Sequence, residues 1–303
     1  MLDRFDRFRR KDYCEYQPIV PKIDAMSVII VDNLLRSESD LSPTAVKEPD
    51  FNPMKWLSEE RHIAGLALEN ITQNILKLVK QPRVKIVHLS ELCEGVIEAF
   101  NPDALVISGT LRDFDLYNPR LLADFERLIK KLTVPVLGIC GGHQLVGLAY
   151  GARIVTMDGL EPWQKRTGRI REYEYKYIKV IDPDDPIFEG LKDERSYFWN
   201  AGGKQHVLRV WQNHGLMVDR VPIGFKNLAK SYLCPYQMMV RRDEEQLIYT
   251  VQYHLEKSFE DWNKLPTRWE HRIESRDGRI VFENFLIEAL KHRAKVKNLL
   301  KIA

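Results

Sequence analysis

The stretch Val134-Pro-Val-Leu-Gly-Ile-Cys140-Gly-Gly-His-Gln-Leu-Val-Gly-Leu-Ala-Tyr150 constrains this chain more than any other. A short apolar, β-branched run leads into a cysteine with a glycine close on each side, and a helical pattern follows at once. The pattern predicts a buried strand, a tight turn and a helix, with Cys140 at the turn. A residue in that position takes a strained backbone conformation, which small neighbours such as Gly138, Gly141 and Gly142 permit. The helix aims its N-terminus at the sulfur and favours the thiolate. The amide after Cys140 is free to donate to an oxyanion. An isolated cysteine is more often a small buried hydrophobe. A passive core cysteine has no need of glycines around it, so Cys140 is a candidate nucleophile.

A cysteine nucleophile needs a base, and the base needs an orienting group. The segment Leu247-Ile-Tyr-Thr-Val-Gln-Tyr-His254-Leu-Glu256 reads as a strand running into His-x-Glu. On extended backbone, residues two apart point to the same side, so His254 and Glu256 can face each other. Glu256 would fix the imidazole tautomer while the other ring nitrogen meets Cys140. Alone, a His-x-Glu is an ordinary charged strand end; with Cys140 in the same chain it becomes a candidate base and orienter.

Gly138-Ile-Cys-Gly-Gly-His-Gln144, followed more than a hundred residues later by Val251-Gln-Tyr-His-Leu-Glu256, resembles the class I (triad) glutamine amidotransferase family. Within that family it is similar to the glutaminase domain of the GMP-synthetase type, here standing alone. The family's elbow pattern, Gly-x-Cys-x-Gly-x-Gln, is matched in full. Its Gln-Phe-His-Pro-Glu segment is matched except for Tyr253 and Leu255. The resemblance runs from about Ser27 to about Leu290 and implies a Cys140, His254, Glu256 triad acting on L-glutamine.

The remaining sequence fits an α/β chain. Ser27-Val-Ile-Ile-Val-Asp32, Val84–Leu89, Ala104–Gly109 and the run before Cys140 predict strands; Ser58–Val79, Ser90–Phe100 (capped by Ser90) and Asn118–Leu132 predict helices between them. Such alternation implies a parallel sheet with ligands at the carboxyl ends of its strands. Later runs at Arg169–Ile181, Gln205–Val210, Leu228–Leu233, Gln237–Arg241 and Leu247–Tyr253 predict antiparallel strands flanking the core, and Val281–Lys297 a last helix. The expected fold is therefore α/β: a flavodoxin-like, mostly parallel sheet flanked by helices, with a small antiparallel flanking sheet. Residues 1–25, charged and aromatic, read as an N-terminal extension, and residues 26–303 as one domain. Within it, residues 34–57 read as an inserted loop, with Phe51, Met54 and Trp56 as apolar anchors and a lid or docking role.

Further site residues follow from the resemblance. Ser108-Gly109-Thr110 occupies the place of the family's Ser-Gly-Gly-Pro turn, whose backbone N–H forms half of the oxyanion hole; Gly141 supplies the other half. Thr110 stands where a second glycine is usual, and a positive φ there would be costly. Gln144 would help shape the glutamine site. Trp211-Gln-Asn-His214-Gly resembles a segment beside that pocket, with Asn213 in place of the usual Ser, and gives His214 a pocket-shaping role. His143, His206 and His271 read as structural.

Composition narrows the partners. A net charge of +3 from 46 basic and 43 acidic residues gives no electrostatic case for nucleic acid. Four cysteines without C-x-x-C spacing argue against zinc or a disulfide framework and fit a reducing cytoplasm. No apolar run reaches the roughly twenty residues needed to cross a bilayer, and no secretory leader is visible. No metal and no cofactor is expected. There is no Walker-type phosphate loop and no room for a synthase domain, so the ammonia acceptor would be a separate synthase subunit. Two alternatives stay open: a free-standing γ-glutamyl peptidase or hydrolase, and a non-catalytic regulatory subunit.

Overall fold

β1 (Ile23–Asp32) carries the apolar run Val28–Val31, and its alternation splits the core in two. Val28 and Ile30 face one side of the sheet; Ile29 and Val31 face the other. The computed structural model describes residues 20–48, 50–164, 168–191, 206–257 and 276–302, with side chains through residue 296. On the Val28 side lie α1 (Pro53–Leu78) and α5 (Arg276–Ile302). On the Ile29 side lie α2 (Glu94–Phe100), α3 (Pro119–Ile129) and α4 (Gly141–Ala149). Layers of helix on both faces bury the β-branched strands from both sides, as a parallel sheet requires.

The other strands are β2 (Val79–His88), β3 (Ala104–Ile107), β4 (Val136–Ile139), β5 (Ile154–Thr156), β6 (Glu172–Val180), β7 (Val207–His214), β8 (Leu216–Val218), β9 (Lys226–Lys230), β10 (Met238–Arg242) and β11 (Leu247–Val251). Nine of the eleven described strands form one sheet in the order β2-β1-β3-β4-β11-β10-β9-β6-β7. Pairing is parallel from β2 to β11 and antiparallel from β11 to β7. The antiparallel strands thus extend the core sheet edge to edge, because β11 pairs with β4 on one side and with β10 on the other. The separate small sheet is β5 with β8. No described helix is long and apolar enough to cross a membrane.

Several boundaries differ from the sequence reading. The loop read over 34–57 ends at Asn52, whose side chain accepts the Lys55 N–H and caps α1 with Pro53 in its first turn. The loop itself is tied down by short 3-10 turns at Glu38–Asp40 and Ala45–Lys47. Trp56 is buried and meets Phe51 edge to face at 5.2 Å, whereas Met54 is exposed and anchors nothing. Ser90 does not cap a helix: its hydroxyl is engaged by His88 Nδ1 at 2.7 Å in a 3-10 turn, and α2 starts later, at Glu94. The 1–25 extension lies outside the described residues up to residue 19, and by Ile23 it is already strand.

Two glycines show what the close packing tolerates. A Cβ on Gly138 in β4 would lie 2.7 Å from the Gly142 carbonyl oxygen, a backbone atom with no room to retreat. A Cβ on Gly65 in α1 would meet nothing within 4 Å. Denaturant unfolding should therefore show Gly138→Ala destabilised by about 1–3 kcal/mol. Gly65→Ala should be stabilised by roughly 0.5–1 kcal/mol.

Candidate active site

Cys140 sits between β4 and α4 with φ 50° and ψ −103°. Among the described non-glycine residues only Asn101, Cys140 and Glu174 have positive φ. Such a conformation costs on the order of 1–3 kcal/mol and persists only where neighbours hold it. Here the Cys140 N–H donates to the Val251 carbonyl at 2.7 Å, and the Cys140 carbonyl accepts the Gln144 N–H at 3.1 Å as the first bond of α4. The N-terminus of α4 therefore starts at the sulfur-bearing residue.

The register of β4 against β11 brings the second segment alongside. Ile139 pairs with Val251, so the two strands end level, with Cys140 one residue beyond and His254 three residues beyond. The His254 N–H donates to the Trp211 carbonyl at 2.8 Å. Its Nδ1 lies 2.7 Å from Glu256 Oε1, and the Cys140 sulfur is close enough to act on the charge of the ring. Gly109 lies against both groups: a Cβ there would be 3.5 Å from His254 Cε1 and 3.6 Å from Cys140 Cβ. Tyr253 and Leu255, the departures from the family segment, are both buried. They anchor alternate positions in the core and leave His254 and Glu256 on the shared side. Asn74 of α1 steadies the end of the segment by donating to the Glu256 carbonyl at 2.8 Å.

The electrostatics follow from this packing. Burial acts to lower the His254 pKa, but the Glu256 carboxylate and the Cys140 sulfur outweigh it and push it up to about 10. Burial likewise acts to raise the Glu256 pKa, and the adjacent His254 outweighs it, holding the carboxyl below its ordinary range. The net effect is that the His254 imidazole holds its proton more firmly than an ordinary histidine does.

The Ser108-Gly109-Thr110 turn follows β3 and abuts the elbow. Thr110 is not among the described residues with positive φ, so its side chain brings no backbone strain. The space for it comes from Gly141: a Cβ there would lie 2.5 Å from the Thr110 nitrogen. Ser108 Oγ accepts the Asn33 N–H at 3.0 Å and donates to the Gly109 carbonyl at 3.2 Å, bracing the turn from β1. Backbone N–H groups at the start of α4 and in this turn therefore flank Cys140.

Gln144 and His214 are both buried, and both are tied into the wall of the site. Gln144 Nε2 donates to the Leu216 carbonyl and to Gln252 Oε1, each at 3.1 Å. His214 lies 2.9 Å from the Leu216 carbonyl through Nδ1 and 3.1 Å from Glu172 Oε2 through Nε2. It is thus engaged away from Cys140, which leaves His254 as the histidine at the sulfur. The sequence reading gives no role to Gln252, whose Nε2 lies 3.7 Å from Cys140 Sγ. Its place in the Val251–Glu256 motif is the available signal. Nor does it find Glu172, which accepts from Gln237 Nε2 at 2.6 Å as well as facing His214. Nothing local in the sequence marks that pair. His143 is buried, sits 2.8 Å from Thr250 Oγ1 and is pushed down to about 3 by burial, as a structural histidine would be. His271 lies outside the described residues. Among the described residues no group of three or more His, Cys, Asp or Glu side chains could hold a metal ion.

Comparison with known proteins gives the family of the chain. Residues 67–273, more than half of the chain, match the family model for glutamine amidotransferase class-I. The glutamine-hydrolyzing GMP synthase of Chromobacterium violaceum is 32% identical over 187 residues, covering 61% of this chain and 31% of that protein. A glutamine-hydrolyzing GMP synthase subunit of Pyrococcus abyssi is 32% identical over 162 residues, covering 53% of this chain and 69% of that protein. The chain spans about a third of the length of the first matched relatives. Among solved structures, a GMP synthase subunit protein of Thermoplasma acidophilum superposes with a TM-score of 0.54 at 21% identity, covering 89% of this chain and 96% of that one. A glutamine amidotransferase of Thermotoga maritima does so with a TM-score of 0.52 at 15% identity, covering 88% and 98%. These two show the shared fold, and the family match settles the affiliation: this chain belongs to the class I glutamine amidotransferases.

Proposed function

We propose that the chain is the glutaminase component of a GMP synthase-like system, hydrolysing the side-chain amide of L-glutamine through Cys140, His254 and Glu256. The observation that carries this is the meeting of two distant segments: the Cys140 elbow, bonded to Val251, and the His254–Glu256 pair three to five residues further on.

Cys140 Sγ attacks the amide carbon of glutamine. The electron pair of the C=O moves onto oxygen, where the N–H groups of Gly141 and of the Gly109–Thr110 turn stabilise it; one such donor is typically worth ~3 kcal/mol of barrier. Collapse breaks the C–N bond, and the His254 imidazolium protonates the departing nitrogen, releasing ammonia and leaving a γ-glutamyl thioester. Water, deprotonated by the now neutral His254, cleaves the thioester to glutamate and restores Cys140. Gln144 and Gln252 hold the pocket wall behind the sulfur, and His214 with Glu172 fixes the Asn213–Leu216 corner. The ammonia passes to a synthase partner, in keeping with the Pyrococcus relative, which is named as one subunit of its synthase.

Ammonia release from L-glutamine by the purified chain tests this, both alone and in the presence of a synthase subunit. Cys140→Ala should abolish release, and His254→Ala should lower it by about a hundred- to ten-thousandfold. Release only from γ-glutamyl peptides would move the reading to a γ-glutamyl hydrolase, and silence under all conditions to a regulatory subunit.

The pH profile gives a second check. His254 is raised above its unfolded value, so its proton is held through neutral pH and lost as pH rises through about 10. The alkaline limb of kcat/KM, which reports the free enzyme, should therefore lie well above the ordinary histidine range. In Glu256→Gln the carboxylate that raises His254 is gone, and that limb should move to lower pH. A limb that stays in place would show that Glu256 does not set the charge of His254.

A further inference from the structure

We propose that Arg112 is a positioning residue for the Ser108–Thr110 turn, clamped by Trp56, Glu59 and Glu60 of α1. The proposal rests on the reading of that turn as an oxyanion donor.

Arg112 lies two residues beyond Thr110, and its side chain is held on three sides by the first turns of α1. Its guanidinium carbon sits 3.8 Å from the centre of the Trp56 ring, a cation–π contact. Its NH2 donates to Glu59 Oε2 at 2.8 Å. Its Nε lies 3.6 Å from Glu60 Oε1, just outside hydrogen-bond reach, and both of these buried atoms lack a hydrogen-bond partner. Glu60 is fully buried, and its other oxygen accepts the Leu35 N–H at 3.0 Å. An unpaired buried N–H facing an unpaired buried carboxylate oxygen forms a contact that a small movement of α1 closes or opens. Burial pushes the Glu60 carboxyl up to about 7 against the Leu35 N–H, Arg112 and Arg61, so the charge in this clamp is itself loosely held.

A second path runs from the same helix to the same turn. Arg61 NH2 donates to Asp32 Oδ2 at 2.6 Å, at the carboxyl end of β1. The next residue, Asn33, donates its N–H to Ser108 Oγ. α1 therefore grips both ends of the turn, through Asp32 and Asn33 at Ser108 and through Arg112 beyond Thr110. The turn in turn presses on the elbow, since the Thr110 nitrogen sits where a Cβ of Gly141 would be. A fold staple alone would need none of this to converge on the backbone beside Cys140. The same arrangement gives α1 and the loop ahead of it a lever on the site.

The test separates attack on a carbonyl from reactivity of the thiol. Cys140 in the full chain is captured by a chloroketone analogue of glutamine, whose carbonyl oxygen needs the oxyanion site, and by iodoacetamide, which does not. In Arg112→Ala the chloroketone rate should fall by about tenfold or more. The iodoacetamide rate should stay near wild type in the folded variant, even where its unfolding midpoint falls through loss of the Glu60 and Trp56 contacts. Arg112→Lys keeps the charge without the planar fork or the stacking, and should lose about threefold in the ratio of the two rates; it carries the test should Arg112→Ala fail to fold. An unchanged ratio in the folded variants, or both rates falling together, overturns the proposal. Wild-type Cys140 that takes iodoacetamide but ignores the chloroketone would instead overturn the glutaminase reading, and this proposal with it.

Discussion

The pairing of β4 with β11 is the contact on which the site depends. These strands are separated in sequence by most of the antiparallel region, yet they lie side by side and parallel, with Ile139 opposite Val251. The hydrogen bond from Cys140 N–H to the Val251 carbonyl is the last rung of that ladder. It does two things at once. It stabilises the positive φ of Cys140, and it fixes how far His254 stands from the sulfur. A slip of one residue would turn every side chain of β11 to the opposite face and would carry His254 away from Cys140. The register is protected because both faces are buried: Tyr249 and Val251 belong to one core, Ile248 to the other.

Around that seam the chain builds a wall of amides in place of charged groups. Gln252 links Cys140 to Gln144, and Gln144 links onward to the Leu216 carbonyl. Further out, Gln212 donates to Gln237, and Gln237 donates to Glu172 opposite His214. Amides can donate and accept without a net charge, so they order the surroundings of Cys140 without adding a charge to compete with the His254–Glu256 pair. The one buried carboxylate in this outer set is matched by a histidine, which keeps its field local. The arrangement leaves Glu256 as the carboxylate in contact with His254.

Much of this is legible in the sequence, and the residues show why. The elbow is a local event, a strand, a strained turn and a helix within seventeen residues, and it is written in glycines whose missing side chains the structure puts to use. His254 and Glu256 are legible because period two on extended backbone is a strong rule. The four parallel strands before Cys140 are visible as apolar β-branched runs. What escapes depends on contacts between distant residues. Glu172 and His214 meet across the β6–β7 pairing, and Arg112 meets Trp56 and Glu60 across two elements; no local pattern announces either. The start of α1 reads late because Pro53 and Asn52 look like loop residues until their capping geometry is seen. The antiparallel strands read as flanking the sheet because their short, half-exposed patterns say nothing about which edge they join.

Thr110 shows how a departure from a family pattern is absorbed. A second glycine at this position allows a positive φ, and a threonine in that conformation would be strained. The chain does not use the positive φ at Thr110. It keeps an ordinary backbone there, and the crowding that results is relieved across the gap, where Gly141 has no Cβ to meet the Thr110 nitrogen and side chain. The cost of the substitution is thereby moved from the turn to the elbow, which must remain glycine for a steric reason in addition to its place at the helix start. The N–H groups on both sides of Cys140 are then interlocked. Any displacement of the 108–112 segment is felt at Gly141, and any repacking of α4 is felt at Thr110. Rigid coupling of this kind would serve the proposed role of these N–H groups as oxyanion donors, because donors that reorganise during a reaction lose much of their effect.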